Sequence, residues 1–409
     1  WVHSLFTKKI SVRSKRRIIR MTLPFHARLK FSKKKRKPAA DDKPKNNRNE
    51  TPLVLPLLQG YNEAMTDLES ILANVTSAAS KEDRELITRA YEYAKVAHEG
   101  HTRYSGEPYL PHLVAVARSL SEIGMGPKTI IAGLLHDIIE DTKVTAEDIK
   151  ERFGDEVLFL VEGVTKLGSV RYHGTDRHNE SLRKLFVATS QEIRVLIVKL
   201  ADRLHNMQTL QFVPREKQKR IAQETLEIYV PVAHRLGMGR FHKELADLAF
   251  PYVLPDEYKK VKEITRLPLK HALETLEKLR KTLQKKLAEV GIKKFKTSFR
   301  VKGMYSLFRK LERRDWDIDL IHDLLAVRVV VQSVEECYRV LGIVHELWRP
   351  LPQRVKDFIA FPRPNGYQSL HTTVIAHDRT IVEVQIRTEE MHREAEFGVA
   401  SHLLYKDIK

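Results

Sequence analysis

From about Leu57 onward, apolar positions recur every three to four residues, the spacing that lines one face of a helix. The pattern predicts amphipathic helices over 61–75, 83–98 and 110–123, with Ser105-Gly106 and Pro108 breaking the chain between the last two. The period continues through 127–141, 145–153, 155–164, 178–189, 191–210 and 215–235. Nothing in this stretch alternates like a strand, so residues 57–255 predict one all-helical domain, with Pro251 and Pro255 marking its end. The Lys/Glu/Leu stretch over 256–290 reads as solvated helices forming a connector. Beyond Gly291 the pattern changes. Lys296–Val301 alternates, and Val327–Val331 and Ile381–Ile386 are β-branched runs. Residues 291–409 are therefore expected to form an α/β domain around a sheet. No internal repeat is seen.

Charge changes the picture mainly at the start. Residues 1–50 hold 17 Lys and Arg against three Asp and Glu, whereas the remaining 359 hold 55 against 50. The basic character belongs to a leader over 1–56, and a body built as a nucleic-acid surface is excluded by its near balance. Arg13, Lys15, Arg16, Arg17, Arg20 and the Lys33–Lys37 cluster suit an organelle transit segment, a basic arm or a disordered tail alike. The single cysteine, Cys337, excludes an internal disulfide and a cysteine metal cluster. No run approaches the 18 apolar residues of a membrane span.

The chemistry of the helical part centres on His136-Asp137-Ile138-Ile139-Glu140-Asp141, at the end of the apolar run Thr129–Leu135. On a continuous helix, His136 and Glu140 share one face, as do Asp137 and Asp141. Four ionisable groups ending a buried helix need compensation from a metal, water or substrate. A lone His-Asp pair is more often a surface helix end, but two other segments add to it. Asp202 follows the apolar run Val195–Ala201 with Asn206 one turn later, and His112 follows Arg103–Tyr109. Histidine, His-Asp and a distant Asp on separate helices are how a bundle builds a metal site in its core. Arg103 offers a phosphate fork. His205 reads equally well as a packed histidine.

In the α/β part, Arg300 and Lys302 share one side of an alternating strand, with Ser306 and Lys310 four apart on the helix that follows. Such a cluster suits a polyphosphate or an ordinary solvated face. Asp323 opens the strand Leu324–Val331, whose apolar run Arg328 interrupts, and Glu383, Gln385 and Arg387 point to one face of the next run. Two carboxylates there would suit Mg²⁺ in phosphoryl transfer. Tyr367 and His371, read as one strand, should share a face roughly 13 Å apart. Tyr367 suits either packing or stacking on a base, with His371 and Lys356 toward phosphates.

His112, His136-Asp137 and Asp202 match the ligands of HD phosphohydrolases. The strings Arg103–Tyr109, His136–Thr142, Gly163–Leu167 and Leu200–Met207 resemble the hydrolase domain of the long RelA/SpoT homologues, which make and destroy guanosine tetra- and pentaphosphate, (p)ppGpp. Residues 300–402 resemble that family's nucleotidyltransferase-like synthetase domain through Tyr305-Ser306, Asp323–Arg328, Gly342–Pro350, Arg354–Asp357, Asn365–Thr372 and Glu383–Thr388. The resemblance implies Mn²⁺ held by His112, His136, Asp137 and Asp202, catalysis by Glu140 and Asp141, and substrate contacts from Arg103, Asn206 and Thr209. It further implies Mg²⁺ on Asp323 and Glu383, with Glu383 activating a 3′-hydroxyl. Arg300, Lys302, Ser306 and Lys310 would bind ATP, and Lys356, Tyr367 and His371 would bind GDP or GTP. Tyr104 stands where the family usually has lysine, and Leu113 where proline usually follows the histidine; neither departure removes a ligand. The basic form of Arg354–Asp357 resembles bifunctional members. A hydrolase with an inert synthetase domain would need a lesion at Asp323, Glu383, Lys302 or Tyr367, and none is present. Without the family's carboxy-terminal regulatory half, ribosome-dependent activation is not expected. A bacterial cytoplasm or a chloroplast would suit such a protein.

Overall fold

The computed structural model describes residues 66–75, 79–168, 192–321, 323–376 and 378–403. The basic leader over 1–56, the start of the predicted first helix, the predicted helix at 178–189 and residues 404–409 lie outside the described residues.

The helical half is built from α1 (Asp67–Leu72), α2 (Lys81–Ala97), α3 (Leu110–Glu122), α4 (Pro127–Leu135), α5 (Ile138–Asp141), α6 (Ala146–Phe153), α7 (Asp155–Gly168) and α8 (Ile193–Gln208). It continues through α9 (Arg215–Glu224), α10 (Val230–Arg235) and α11 (Gly239–Val253). Ser80 and Thr145 start α2 and α6 with capping boxes, each accepting from the N3 amide while the N3 aspartate accepts from the cap's own amide. Ile87, Leu120, Ile131, Leu135, Val161, Ile197 and Phe241 are fully or nearly fully buried in one core.

Two predicted helices are broken, each for a local reason. The run 127–141 is interrupted at His136-Asp137, where Asp137 takes φ −102° and ψ −1°. That turn directs the His and Asp side chains into the bundle instead of leaving them in ordinary helical register. The run 215–235 contains a π-helical turn at Thr225–Tyr229 just before Pro231. Proline lacks an amide proton and crowds the preceding turn, and a wider turn accommodates both effects.

The second half holds a mixed sheet ordered β1 (Lys296–Val301), β2 (Leu325–Val331), β5 (Ile381–Thr388), β4 (Leu370–Ile375), β3 (Lys356–Asp357). Strands β2 and β5 are parallel and the other neighbours antiparallel. Register places Val327, Val384 and Thr372 side by side on one face, and Arg328, Gln385 and His371 on the other. The apolar face packs on α12 (Pro255–Glu289) and α14 (Val334–Leu347). The expected solvated connector is this single helix α12, and its Leu276, Leu279, Leu283 and Leu287 are buried in the second core. Their spacing of three to four residues is an amphipathic stripe that the abundant Lys and Glu obscure.

The two cores interleave. Phe250, near the end of α11, belongs to the sheet core, while Phe241, Leu245 and Ala249 of the same helix belong to the helical one. Ala400 and Leu403, on the short helix Ala400–Leu403 beyond the sheet, return to the helical core. Backbone meets backbone at this return: the Val399 amide donates to the Leu236 carbonyl at 2.9 Å. A Cβ on Gly398 would lie 2.1 Å from that same carbonyl oxygen, so only glycine fits.

Candidate metal centre and nucleotide face

Three separate segments bring four predicted residues together inside the bundle. His112 comes from the first turn of α3, His136-Asp137 from the α4–α5 break and Asp202 from α8. His112, His136 and Asp202 are buried. His112 Nε2 lies 3.6 Å from Asp137 Oδ2 and 3.5 Å from Asp202 Oδ1; His136 Nε2 lies 3.0 and 3.7 Å from the same two atoms. His112, His136 and Asp137 form a group whose donor atoms could share one cation.

The hydrogen-bond network assigns the protons. Burial, aided by His112 and Arg103, pushes His205 down to about 3, so it is neutral. Arg103 Nη1 donates to its Nδ1 at 2.9 Å, making that nitrogen an acceptor. His112 Nδ1, 2.8 Å from the same atom, must then donate its proton, which leaves His112 Nε2 with a bare lone pair. His136 Nδ1 donates to the Gly133 carbonyl at 2.9 Å, and its buried Nε2 has no hydrogen-bond partner. Two imidazole Nε2 atoms therefore face two carboxylate oxygens, an arrangement that calls for a positive charge, either a cation or a proton on His136. Burial opposes charging His136, but Asp137 and Asp202 outweigh it and push the imidazole up to about 10. Burial alone would likewise raise both carboxyls; the histidines hold Asp137, and Lys199 with His136 holds Asp202, well below the usual range. These donors, two imidazoles and two carboxylates, fit a divalent cation.

Around this cluster, Tyr109 donates its hydroxyl to Asp137 Oδ2 at 2.7 Å, and Lys199 pairs with Asp202 Oδ2 at 3.0 Å. Neither belongs to the set expected from sequence. Lys199 was legible as the helical i, i+3 partner of Asp202; Tyr109 left no signal, because its reach depends on how α3 starts. Arg103, expected to fork a phosphate, spends both arms inward, on His205 and on Asn206 Oδ1. Asn206 in turn donates to Asp202, while the Thr209 hydroxyl donates to the His205 carbonyl. Glu140 and Asp141 are exposed beside the cluster, and burial together with Asp137 raises the Glu140 carboxyl.

The polar face of the sheet gathers most of the second predicted set. Lys302 Nζ lies 2.8 Å from Asp323 Oδ2, and Lys310, on α13 (Met304–Glu312), pairs with the same oxygen. Burial would raise the Asp323 carboxyl, but the two ammoniums hold it well below the usual range. Glu383 feels the Asp323 charge, while its Oε1 accepts from His371 Nδ1 at 2.8 Å and its Oε2 from Gln385 at 3.0 Å. With Nδ1 donating, His371 Nε2 accepts from the Tyr367 hydroxyl at 2.7 Å. The two rings therefore touch instead of standing apart along a strand, because residues 366–369 form a loop and β4 begins only at Leu370. Lys356 stands in register beside His371 and is exposed. Arg300 and Ser306 sit on β1 and α13 at the same end. Arg328 and Arg387 were not in the expected set. Both are part of this face, with their Nε atoms buried and unpartnered, and Arg387 reaches Tyr367 and Gln385. An arginine interrupting an apolar strand was the available signal. The carboxylates Asp323 and Glu383 also suit a divalent cation, provided an incoming polyphosphate takes over the two lysines.

A helical bundle with a buried His/Asp cluster, followed by a mixed sheet with a cationic carboxylate-bearing face, defines an HD domain joined to a synthetase-like α/β region. Residues 90–239 match the HD domain family, and residues 299–409 match the region found in RelA / SpoT proteins. Over 348 residues the chain is 48% identical to a guanosine-3′,5′-bis(diphosphate) 3′-pyrophosphohydrolase of Aquifex aeolicus, covering 84% of this chain and 48% of that protein. It is 45% identical over 360 residues to a GTP pyrophosphokinase of Myxococcus xanthus, covering 87% and 47%. It is 45% identical over 322 residues to the bifunctional (p)ppGpp synthase/hydrolase SpoT of Escherichia coli, covering 78% and 46%. The chain thus spans about half the length of these curated relatives. It belongs to the RelA/SpoT family of (p)ppGpp synthetase/hydrolase homologues.

Proposed function

We propose that this chain is a bifunctional enzyme of (p)ppGpp, with a hydrolase in 57–255, a helical link over 256–290 and a synthetase in 291–409. The observation that carries the reading is the pair of imidazole Nε2 atoms converging on the Asp137 and Asp202 carboxylates in the bundle. A second and distinct carboxylate site lies on the sheet.

In the hydrolase, His112, His136, Asp137 and Asp202 would hold Mn²⁺. When bound, that ion would supply Lewis acidity and a water nucleophilic at neutral pH. The raised carboxyl of Glu140 and the neighbouring Asp141 would give a proton to the departing 3′-oxygen of the nucleotide, as its bond to phosphorus breaks, or orient the attacking water. Arg103, Asn206 and Thr209 would contact the substrate, with Arg103 trading its inward bonds to His205 and Asn206 for a phosphate.

In the synthetase, the 3′-hydroxyl oxygen of GDP or GTP attacks the β-phosphorus of ATP. The bond from that phosphorus to the α–β bridging oxygen breaks, and AMP leaves. Mg²⁺ on Asp323 and Glu383 would neutralise the triphosphate. Arg300, Lys302, Ser306 and Lys310 bind ATP, and Tyr367, Lys356 and His371 bind the acceptor. Glu383, ionised and held by His371, takes the hydroxyl proton. Positioning and charge stabilisation supply most of the rate. The bacterial origin of the relatives favours a bacterial cytoplasm over a chloroplast.

One experiment tests both halves. Purified protein is given ATP, GDP or GTP and Mg²⁺, and separately ppGpp and Mn²⁺. AMP with (p)ppGpp is expected in the first tube, and GDP with pyrophosphate in the second. A folded protein that yields neither set overturns the reading.

A further inference from the structure

The turn between β1 and α13 carries four residues of the proposed ATP site: Arg300 and Lys302 on its strand side, Ser306 and Lys310 on its helix side. Helix α13 starts at Gly303, which has no side chain to satisfy the free amides of the first turn. The missing cap comes from the other half of the molecule. Asp247, on α11, accepts the Tyr305 amide through Oδ1 at 3.0 Å. One turn earlier on the same helix, Lys243 Nζ donates to the Val301 carbonyl at 3.1 Å. The two side chains thus grip the turn on either side of Lys302 and Gly303.

A third observation fixes how close this grip is. A Cβ on Gly303 would lie 2.8 and 2.9 Å from the Asp247 carboxylate oxygens and 3.1 Å from Lys243 Cγ. Any side chain at 303 would displace the Asp247 carboxylate, because the two α11 side chains press directly on the turn. The grip is also anchored. Phe241, Leu245, Ala246 and Ala249 of α11 are buried in the helical core, and the Tyr305 ring packs against both cores. Burial pushes the Asp247 carboxyl up to about 6, against the Tyr305 amide and Lys243, so at neutral pH it still accepts as a carboxylate.

We propose that Lys243 and Asp247 are positioning residues for the ATP site, supplied by the hydrolase half and acting through the β1–α13 turn. Neither touches Asp323 or the metal cluster. Their effect is to set where Lys302 and Lys310 stand relative to the incoming triphosphate. In its kinetic arm the inference rests on the synthetase reading; in its structural arm it does not.

The test uses the full chain with Asp247→Ala, Asp247→Asn and Lys243→Met. In synthesis assays Asp247→Ala should raise KM for ATP about tenfold with kcat changed less than threefold, equal to about 1.4 kcal/mol of lost ATP-site stabilisation. Hydrolysis of ppGpp and KM for GDP should stay within twofold of the parent. Asp247→Asn keeps an oxygen acceptor and should restore most of the ATP affinity. Hydrogen exchange on the substrate-free protein should show the Tyr305 amide exchanging at least tenfold faster in Asp247→Ala, with α3 and α8 unchanged. A parental KM for ATP and parental Tyr305 protection would overturn the proposal, as would parallel losses in KM for ATP, KM for GDP and hydrolysis. If the parent protein makes no alarmone, the functional reading fails. The exchange experiment, together with the affinity of a non-hydrolysable ATP analogue, then decides the clamp by itself.

Discussion

Lys302 is the residue where charge and burial conflict most directly. Desolvation and the neighbouring Lys310 favour losing its proton, Asp323 favours keeping it, and the balance sets it at about 8. The charged form that attracts a triphosphate is therefore present below pH 8 and lost above it. Because kcat/KM reports the free enzyme, kcat/KM for ATP should fall as pH climbs through about 8. Lys302→Arg should carry the plateau beyond pH 9, since a guanidinium keeps its proton; a parental profile flat to pH 9.5 would contradict the role. In the bundle, Lys199 holds the outer oxygen of Asp202 while Asn206 holds the inner one. Lys199→Met should weaken Mn²⁺ affinity by about 10- to 100-fold, the usual cost of removing a group that orients a ligand, read by titration calorimetry on the full protein. Most charged participants were visible in the sequence because a charge next to an apolar run is conspicuous. Tyr109 was not, since nothing about a tyrosine before a proline-containing helix start says that its hydroxyl reaches Asp137.

Periodicity found most helices and three of the five strands, because burial of one face imprints itself on spacing. It missed features that depend on backbone irregularity. The α4–α5 break keeps apolar residues on both sides, so the run reads as continuous, and the two-residue β3 is too short to show a period. The loop before β4 alternates well enough to pass for strand, which is why Tyr367 and His371 were expected apart. Close backbone contact is equally silent, and glycines mark it. Gly398 has φ +57° and the Leu236 carbonyl at 2.1 Å from a built Cβ, whereas Gly291 has φ +84° and nothing within 4 Å. Gly398→Ala should therefore destabilise by about 2–4 kcal/mol, combining strain with a clash that rigid backbone cannot relieve. Gly291→Ala, bearing the conformational strain alone, should cost about 1 kcal/mol. Denaturant melts of the two variants compare them, and equal midpoints would remove the close-packing argument.

Across the whole molecule, two sets of motifs in a fixed order pointed to the two proposed chemistries, and the structure keeps their side chains in separate places. Asp137→Ala should abolish ppGpp hydrolysis while synthesis stays measurable, and Glu383→Ala should do the reverse. Loss of both activities in a folded single variant would indicate one composite site. What the sequence hid was the joinery. No pattern announces that Phe250 leaves the core its helix mates occupy, or that Ala400 and Leu403 travel back to the first core. That exchange of side chains has a thermodynamic consequence. Neither half can melt and leave the other with its interior intact, because each would strip apolar groups from its neighbour as it went. Calorimetry should therefore show one endotherm, with van 't Hoff and calorimetric enthalpies in agreement, where two independent modules would give two.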